Sequence, residues 1–420
     1  MRIAALLPLP LLAASLLTGV PAEASPDPAP VAQTRAFVDD AGADPANADA
    51  DDPAIWVHPK NPGRSVVLGA LKEGGLAAFD LKARQLTHLP APKAPADGAA
   101  PGRFNNVDVV GDLAVVSDRG RDRVRVYRID PAGAAAGSRV LVDVTDPSAP
   151  PVFSASESEV DDQRTAYGLT AGRDPRTGTR WVAVTRRHET RVALLRLVDK
   201  AGGTVGTAPL GTIDLPASFR LPNGKTWSPC GEPGEGPQLE GSVLDVEHRV
   251  LYTAQEDVGI WRIPVGGHGF GRPELIDKVR SFGAPQRFDE ATEECVADGP
   301  DPGFGGKWLT ADAEGLAIAA GPSGTGKLLA SSQGDSRFVV YDRAGRNAPQ
   351  REFRIVAGRD TDSVEHSDGA AITTAPLGPL FPHGLLVVHD GERRPAATGP
   401  SGEELATTGF AFVRLEAALR

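Results

Sequence analysis

Basic charge, cysteine and long apolar runs are all scarce in this chain. It carries 44 Lys plus Arg against 55 Asp plus Glu in 420 residues, a formal net charge of −11 with His neutral. A surface of that sign repels phosphate backbones and anionic lipid, so neither nucleic acid nor membrane is an expected partner. The only cysteines, Cys230 and Cys295, suffice for one disulfide across a long loop, and only in an oxidising compartment. Beyond the N-terminus no segment is long and apolar enough to span a bilayer. The eight His residues show no His-x-x-x-His spacing, and no Ser sits in Gly-x-Ser-x-Gly, which removes support for zinc and serine hydrolases.

Turn formers, by contrast, are abundant. With 48 Gly and 37 Pro the chain favours many short strands over long helices. The N-terminus has its own character: Arg2, an apolar run over residues 4–17 and the small-x-small triplet Ala22-Glu23-Ala24 together read as a secretory signal over residues 1–24. An N-terminal anchor is the competing reading, although the run is short for a spanning helix. Residues 25–50, rich in Pro, Ala and Asp, read as a loosely ordered arm, leaving 51–420 as the folded unit.

Within that unit one pattern recurs: an apolar strand, a polar turn and a second, alternating strand. It appears at residues 66–72 with 76–81, 113–119 with 124–129, 181–187 with 192–197, 251–256 with 259–263, 328–333 with 338–342, and 385–390 with 409–415. Each hairpin follows another short strand that opens on a polar residue. Six such units suit radial closure of small sheets, so the expected fold is all-β, a six-bladed β-propeller. Two stacked β-sandwiches are the alternative, disfavoured because sandwiches rarely repeat.

Radial repetition brings equivalent positions to one height around one axis. The first strands of the hairpins end on Lys72, Arg119, Arg187, Glu256, Gln333 and Asp390. The preceding strands open on Asp52, Asn106, Tyr167, Glu240, Glu314 and Asp368. Blades one to three would thus form a basic arc and blades four to six an acidic one. Crowded carboxylates repel unless a cation or proton intervenes, and ligands that are all oxygen point to Ca²⁺. Taken singly, each of these residues could equally cap a strand or turn. Two apparent motifs fail on inspection. Residues 321–327 imitate a phosphate-binding loop, but Leu328 replaces the required Ser or Thr and a strand follows. Residues 49–53 resemble the start of an EF-hand loop, but Ala54 stands where the turn needs Gly and Lys60 where a bidentate Glu belongs.

Taken together, Asp49-Ala-Asp-Asp-Pro-Ala-Ile-Trp56, Asn105-Asn-Val-Asp108, Leu239-Glu-Gly241, Ala254-Gln-Glu-Asp257, Ala313-Glu-Gly-Leu316, Leu329-Ala-Ser-Ser-Gln-Gly334 and Ser367-Asp-Gly369 resemble, in order, the motifs of the β-propeller phytases. The resemblance implies a secreted, six-bladed, calcium-dependent enzyme that releases phosphate from myo-inositol hexakisphosphate. It implies that Glu240, Glu256, Glu314, Asp368 and Tyr167 surround catalytic calcium ions and that Lys72, Arg119 and Arg187 grip phosphate oxygens. Asp52, Asp312, Gln333, Asp362 and Asp390 would be further ligands or their supports, and Asn106 with Asp108 would belong to a structural calcium site. Departures exist: Glu73 stands where some members have a second Lys, Arg187 replaces a Lys, and His188 replaces an acid. Stretches at 219–237 and 285–304 look inserted, each with one cysteine, and nothing in the sequence says that they touch the site.

The expected chemistry is direct attack of calcium-held water on a phosphomonoester, with no phosphoenzyme. Two rivals remain. A calcium-dependent six-bladed lactonase needs no basic arc, and a non-enzymatic propeller would use calcium only for structure. A monomer is the default, since a closed propeller leaves little edge to pair.

Overall fold

The computed structural model describes residues 27–39, 48–130, 132–133 and 140–419. The signal expected at 1–24 lies outside them. The six predicted hairpins each become part of an antiparallel sheet, and the sheets form the six blades of a propeller. Blade 2, for example, runs Phe104–Val110, Leu113–Asp118, Arg123–Ile129 and Leu141–Asp143 from the axis outward.

The apolar runs that marked the repeat are explained by burial on both faces of each sheet. Along Leu113–Asp118, Ala114 and Val116 enter the wedge shared with blade 1, while Leu113 and Val115 enter the wedge shared with blade 3. Along Arg180–Arg186, Val182 and Val184 face blade 2, and Trp181 and Ala183 face blade 4. Side chains alternate with period two, so a strand buried on both faces must be apolar throughout. The core is therefore distributed: every pair of neighbouring blades encloses its own wedge, and the ring has no single centre of packing. The axis is left free for polar residues.

One expectation needs correction. Residues 27–39 and 48–50 are not a loose arm. Ala32–Gln33 and Phe37–Val38 pair antiparallel with Thr407–Arg414, the third strand of blade 6, and supply its outer edge. Phe37 is fully buried against Phe79 of blade 1, and Thr34 Oγ1 accepts a hydrogen bond from Phe410 N at 3.0 Å. Blade 6 contributes only three strands from the C-terminal end of the chain, so its exposed edge is covered by the other end. Composition averaged over 25–50 hid the two apolar residues that do this.

The ring closure generates a stability test. Phe37→Ala removes a fully buried aromatic from the wedge between blades 6 and 1, and should lower the unfolding free energy by about 3–5 kcal/mol. Denaturant unfolding measures it, and a loss below about 1 kcal/mol would mean that the N-terminal strands do not close the ring.

Candidate active site

The inner strands of blades 2 to 5 share a local irregularity that builds the site. Their pairing with the second strand slips between Phe104 and Val107, Ala166 and Leu169, Leu239 and Ser242, and Ala313 and Leu316. Each slip holds two unpaired residues: Asn105-Asn106, Tyr167-Gly168, Glu240-Gly241 and Glu314-Gly315. The first of each pair faces the axis. The second packs on the next blade, and there space explains the glycines. A Cβ on Gly168 would lie 2.1 Å from the Glu240 carbonyl oxygen, and one on Gly241 or Gly315 would lie 2.4 Å from that of Glu314 or Asp368. Backbone thus touches backbone around the axis, and the axial side chains are forced together.

At this end of the channel Asp51, Lys72, Asn105, Arg119, Tyr167, Gln238, Glu240, Glu256, Asp312, Glu314, Gln333 and Asp368 line a cavity of about 220 Å³. Nine of the residues singled out in the sequence are among these twelve. Arg187, at the place in blade 3 that Arg119 holds in blade 2, stands beside them. Burial, and then the charge of Arg119, lower its pKa.

Four expectations shift by position. Asn106 stands in the glycine place of its slip and Asp52 stands at the matching place just before the inner strand of blade 1, so Asn105 and Asp51 face the cavity instead; a shift of one residue reverses the direction of a side chain. Asp52 Oδ2 accepts from Val107 N at 3.1 Å and lines a separate cavity further down the channel, together with Asp108. Asp108 accepts from Val109 N, Thr170 Oγ1 and Ala171 N, at 2.6, 2.8 and 2.7 Å. Asn106 lines neither cavity; its backbone N donates to Ser117 Oγ. Asp390 is also one residue out of register, because pairing of Ala370 with Val388 places Gly391 where Gln333 stands in blade 5. It is fully buried, accepts from Glu365 N, and burial raises its pKa to about 7. Asp362 lies away from the axis, bonded to Gln33 and to Arg394 N, and tethers the N-terminal strand.

Within the cavity the basic side chains stand on blades 1 and 2 and most of the acids on blades 4 to 6. Lys72 Nζ contacts Asp49 Oδ2 at 2.6 Å and Asp51 Oδ1 at 3.8 Å. Burial alone would lower its pKa, but Asp51 and Asp49 outweigh that and keep the ammonium charged. Arg119 donates to Asn105 Oδ1 at 3.3 Å and lies 5.6 Å from the Tyr167 ring centre. Asn105 Nδ2 in turn donates to Glu240 Oε1 at 2.6 Å. Gln238 Nε2 holds Glu256 Oε2 at 3.0 Å, and Gln333 donates to Asp368. Gln238 stands just ahead of the inner strand of blade 4, two residues before Glu240, and that nearness was the available sign of its role.

The acidic side is far from satisfied. One carboxylate oxygen each from Glu240, Glu256 and Glu314 lies within 4.8 Å of the others. Asp51 Oδ2, Glu256 Oε1 and Glu314 Oε2 are buried without a hydrogen-bond partner. Burial, followed by repulsion from neighbouring acids, raises Glu240 and Asp312 to about 6 and pushes Glu256 and Glu314 well above the ordinary range. A buried donor set made only of oxygen, with anionic oxygens left unpaired, fits a hard divalent cation of the calcium type.

The first inserted stretch reaches the rim of the site, and the second is tied to it. Their hairpins, Phe219–Arg220 with Thr226–Trp227 and Gln286–Asp289 with Glu294–Ala297, are joined by the Cys230–Cys295 disulfide, whose Cα atoms are 6.0 Å apart. From there the chain passes the rim: Glu235 Oε2 lies 3.0 Å from His188 Nδ1, and Gly236 N donates to His188 O. Burial and the adjacent Arg187 lower the His188 pKa to about 4, so this contact is a neutral imidazole hydrogen bond rather than an ion pair.

These carboxyls generate a test without reference to activity. Glu240, Asp312 and Asp257 titrate near 6, 6 and 7 when folded, above their ordinary values. With Asp49 and Asp390, raised to about 6 and about 7, these carboxyls make the metal-stripped folded chain bind more protons than the unfolded chain between about pH 4 and 7, outweighing His188 and His389, lowered to about 4 and about 3, so stability falls as pH rises through that window. Urea midpoints in EDTA should decline from about pH 5 to about pH 8; a rise would contradict the crowding.

Comparison with known proteins agrees with the geometry. The family model described as Phytase matches residues 3–210 and 291–399; the unmatched interval holds blade 4 and the first inserted hairpin. A 3-phytase of Bacillus subtilis (strain 168) is 30% identical over 354 residues, covering 82% of this chain and 75% of that protein. Among solved structures, the periplasmic gluconolactonase of Pseudomonas aeruginosa gives a TM-score of 0.41 at 16% identity, over 76% of this chain and 73% of that one. The protein U3-55K gives 0.45 at 12% identity, over 92% and 100% of the two chains. Neither likeness bears on activity. With its family model matched over most of the chain, and with six blades converging on an acidic centre beside a basic arc, this chain belongs to the phytase family.

Proposed function

We propose that the protein hydrolyses myo-inositol hexakisphosphate to lower inositol phosphates and inorganic phosphate, and that it requires calcium to do so. The observation that carries this reading is the buried cluster of Glu240, Glu256 and Glu314, with oxygens unpaired, facing Lys72 and Arg119 across one cavity. Glu240, Glu256, Glu314, Asp51, Asp312 and Asp368 would hold the ions, with amide oxygens of Asn105 and Gln333 in reach. Calcium supplies neutralisation of phosphate charge and Lewis acidity when bound.

The protein's own residues do the rest. Lys72, Arg119 and Arg187 bind and orient the phosphate oxygens, which repel an incoming nucleophile until their charge is offset. Tyr167 keeps its proton, because burial and then Glu240 push its phenol well above the usual range. It can therefore donate a hydrogen bond to Glu240 and hold that carboxylate in place. Water then attacks phosphorus in line, giving up a proton to a carboxylate of the acidic cluster, and the P–O ester bond breaks as the leaving oxygen takes up a proton, without a covalent phosphoenzyme. The reading extends to export from the cell, supported by the Cys230–Cys295 disulfide, which suits an oxidising compartment, and by the leader-like residues 1–24. Ring closure by the N-terminal strands favours a monomer.

The test is phosphate release from phytate in calcium and in EDTA, with a lactone as the rival substrate. Phosphate should appear only with calcium and no acid should form from the lactone. Absence of calcium-dependent phosphate release would overturn the reading. Arg119→Ala should lower kcat for phytate by about 10²-fold, as loss of one charge-stabilising donor does elsewhere, while leaving the melting temperature in place. A change under about threefold would remove Arg119 from the phosphate site.

A further inference from the structure

Between the first inserted hairpin and the inner strand of blade 4, residues 228–238 form neither strand nor helix, and residues 231–236 are exposed. A segment with so few ladder bonds belongs to the least stable part of a fold and drifts unless it is tied. Here it is tied at both ends. Upstream, Trp227 is buried and its Nε1 donates to Ala284 O at 2.9 Å, and Cys230 is bonded to Cys295 of the second inserted hairpin. Downstream, the chain enters the inner strand at Leu239, which is fully buried.

What the tied segment grips is the turn that follows Arg187. His188 has a φ of 57°, a left-handed conformation that a residue with a Cβ adopts only when its surroundings hold it there. Three of its polar groups are held by the segment. His188 N donates to Gln238 Oε1 at 3.1 Å, His188 O accepts from Gly236 N at 3.1 Å, and His188 Nδ1 lies 3.0 Å from Glu235 Oε2. Gly236 is the point of closest approach, since a Cβ there would lie 2.8 Å from His188 O. The same Gln238 amide donates from Nε2 to Glu256 Oε2 at 3.0 Å, while Glu256 Oε1 stays buried without a partner. One amide therefore joins the two arcs of the mouth, and it sets which oxygen of Glu256 is left open to a cation.

We infer that residues 235–238 are a positioning strap, held by the Cys230–Cys295 clip, which sets the stance of Arg187 through His188 and of Glu256 through Gln238. The strap acts through those two residues rather than on the substrate, so an inserted segment at the rim governs both the phosphate side and the cation side of the site. The inference rests on the proposed phosphate-ester activity for its substrate arm alone, and calcium binding reads the other arm without turnover.

The experiment compares Gly236→Ala, the Cys230→Ser, Cys295→Ser double variant and Gln238→Met with the parent, and repeats the first two in the Gln238→Met and Arg187→Ala backgrounds. Calcium Kd is read by titration calorimetry, phytate by KM and kcat, or by Kd where the parent is inert, and the unfolding midpoint in EDTA reports folding. Gln238→Met should weaken calcium by about 10-fold, the scale of losing a group that orients a metal ligand. Gly236→Ala and the unclipped variant should weaken calcium and raise the KM for phytate by roughly threefold or more each, as displaced binding groups do. Their calcium effect should be largely absorbed in Gln238→Met, and their phytate effect in Arg187→Ala. A segment that serves only stability would lower the unfolding midpoint and leave both constants of the folded protein at the parental values. That result overturns the inference, as do losses that add in full to those of Gln238→Met and Arg187→Ala. A parent that binds calcium but leaves phytate intact overturns the proposed function instead, and the calcium arm still decides the strap. Because Gly236 is exposed, its variant carries the test even should the unclipped chain not fold.

Discussion

Repulsion among Glu240, Glu256 and Glu314 is the constraint around which the molecule is organised. Their oxygens are brought within 4.8 Å by backbone contact, since Gly168, Gly241 and Gly315 leave no room for a Cβ between neighbouring inner strands. Six apolar wedges press the blades together and give that contact its force. Without a cation, the acids must keep protons that their ordinary pKa values would release. The fold thus stores an electrostatic demand at its axis, of the kind that a divalent cation would meet.

The same constraint resolves the conflict between a net charge of −11 and a polyanionic ligand. Acidity is not spread evenly around the mouth. Lys72, Arg119 and Arg187 occupy one arc, where Asp49 and Asp51 pair with Lys72, and the carboxylates of blades 4 to 6 occupy the other. Cations on the acidic arc would reverse its sign, making the whole mouth attractive to phosphate. An acidic protein can then bind a highly anionic ligand without a basic surface.

Much of this was legible in the chain itself. The repeat was readable because strands buried on both faces are apolar throughout, as Leu113–Asp118 and Arg180–Arg186 show. The register at the axis was harder. Asp52 and Asn106 look equivalent to Glu240 and Glu314, yet they stand where those blades have glycine, and Asp51 and Asn105 face the cavity. Aligning Gly168, Gly241, Gly315 and Gly369 as one column would have shown it. Asp390 was misplaced for the same reason. Other features had no local signal. That Phe37 covers blade 6 and that Glu235 meets His188 both depend on contacts between distant segments or on rotamers that no pattern encodes.

The central claim is that protons and a divalent cation compete for one set of buried carboxylates. It is tested most directly by calorimetric titration of the stripped protein with calcium at about pH 6, in buffers of different protonation enthalpy, because displaced protons appear as buffer heat. The account predicts net proton release on calcium binding, with both release and affinity sharply reduced in the Glu240→Gln, Glu314→Gln double variant. Calcium binding with no proton release, or with undiminished affinity in that variant, would contradict it.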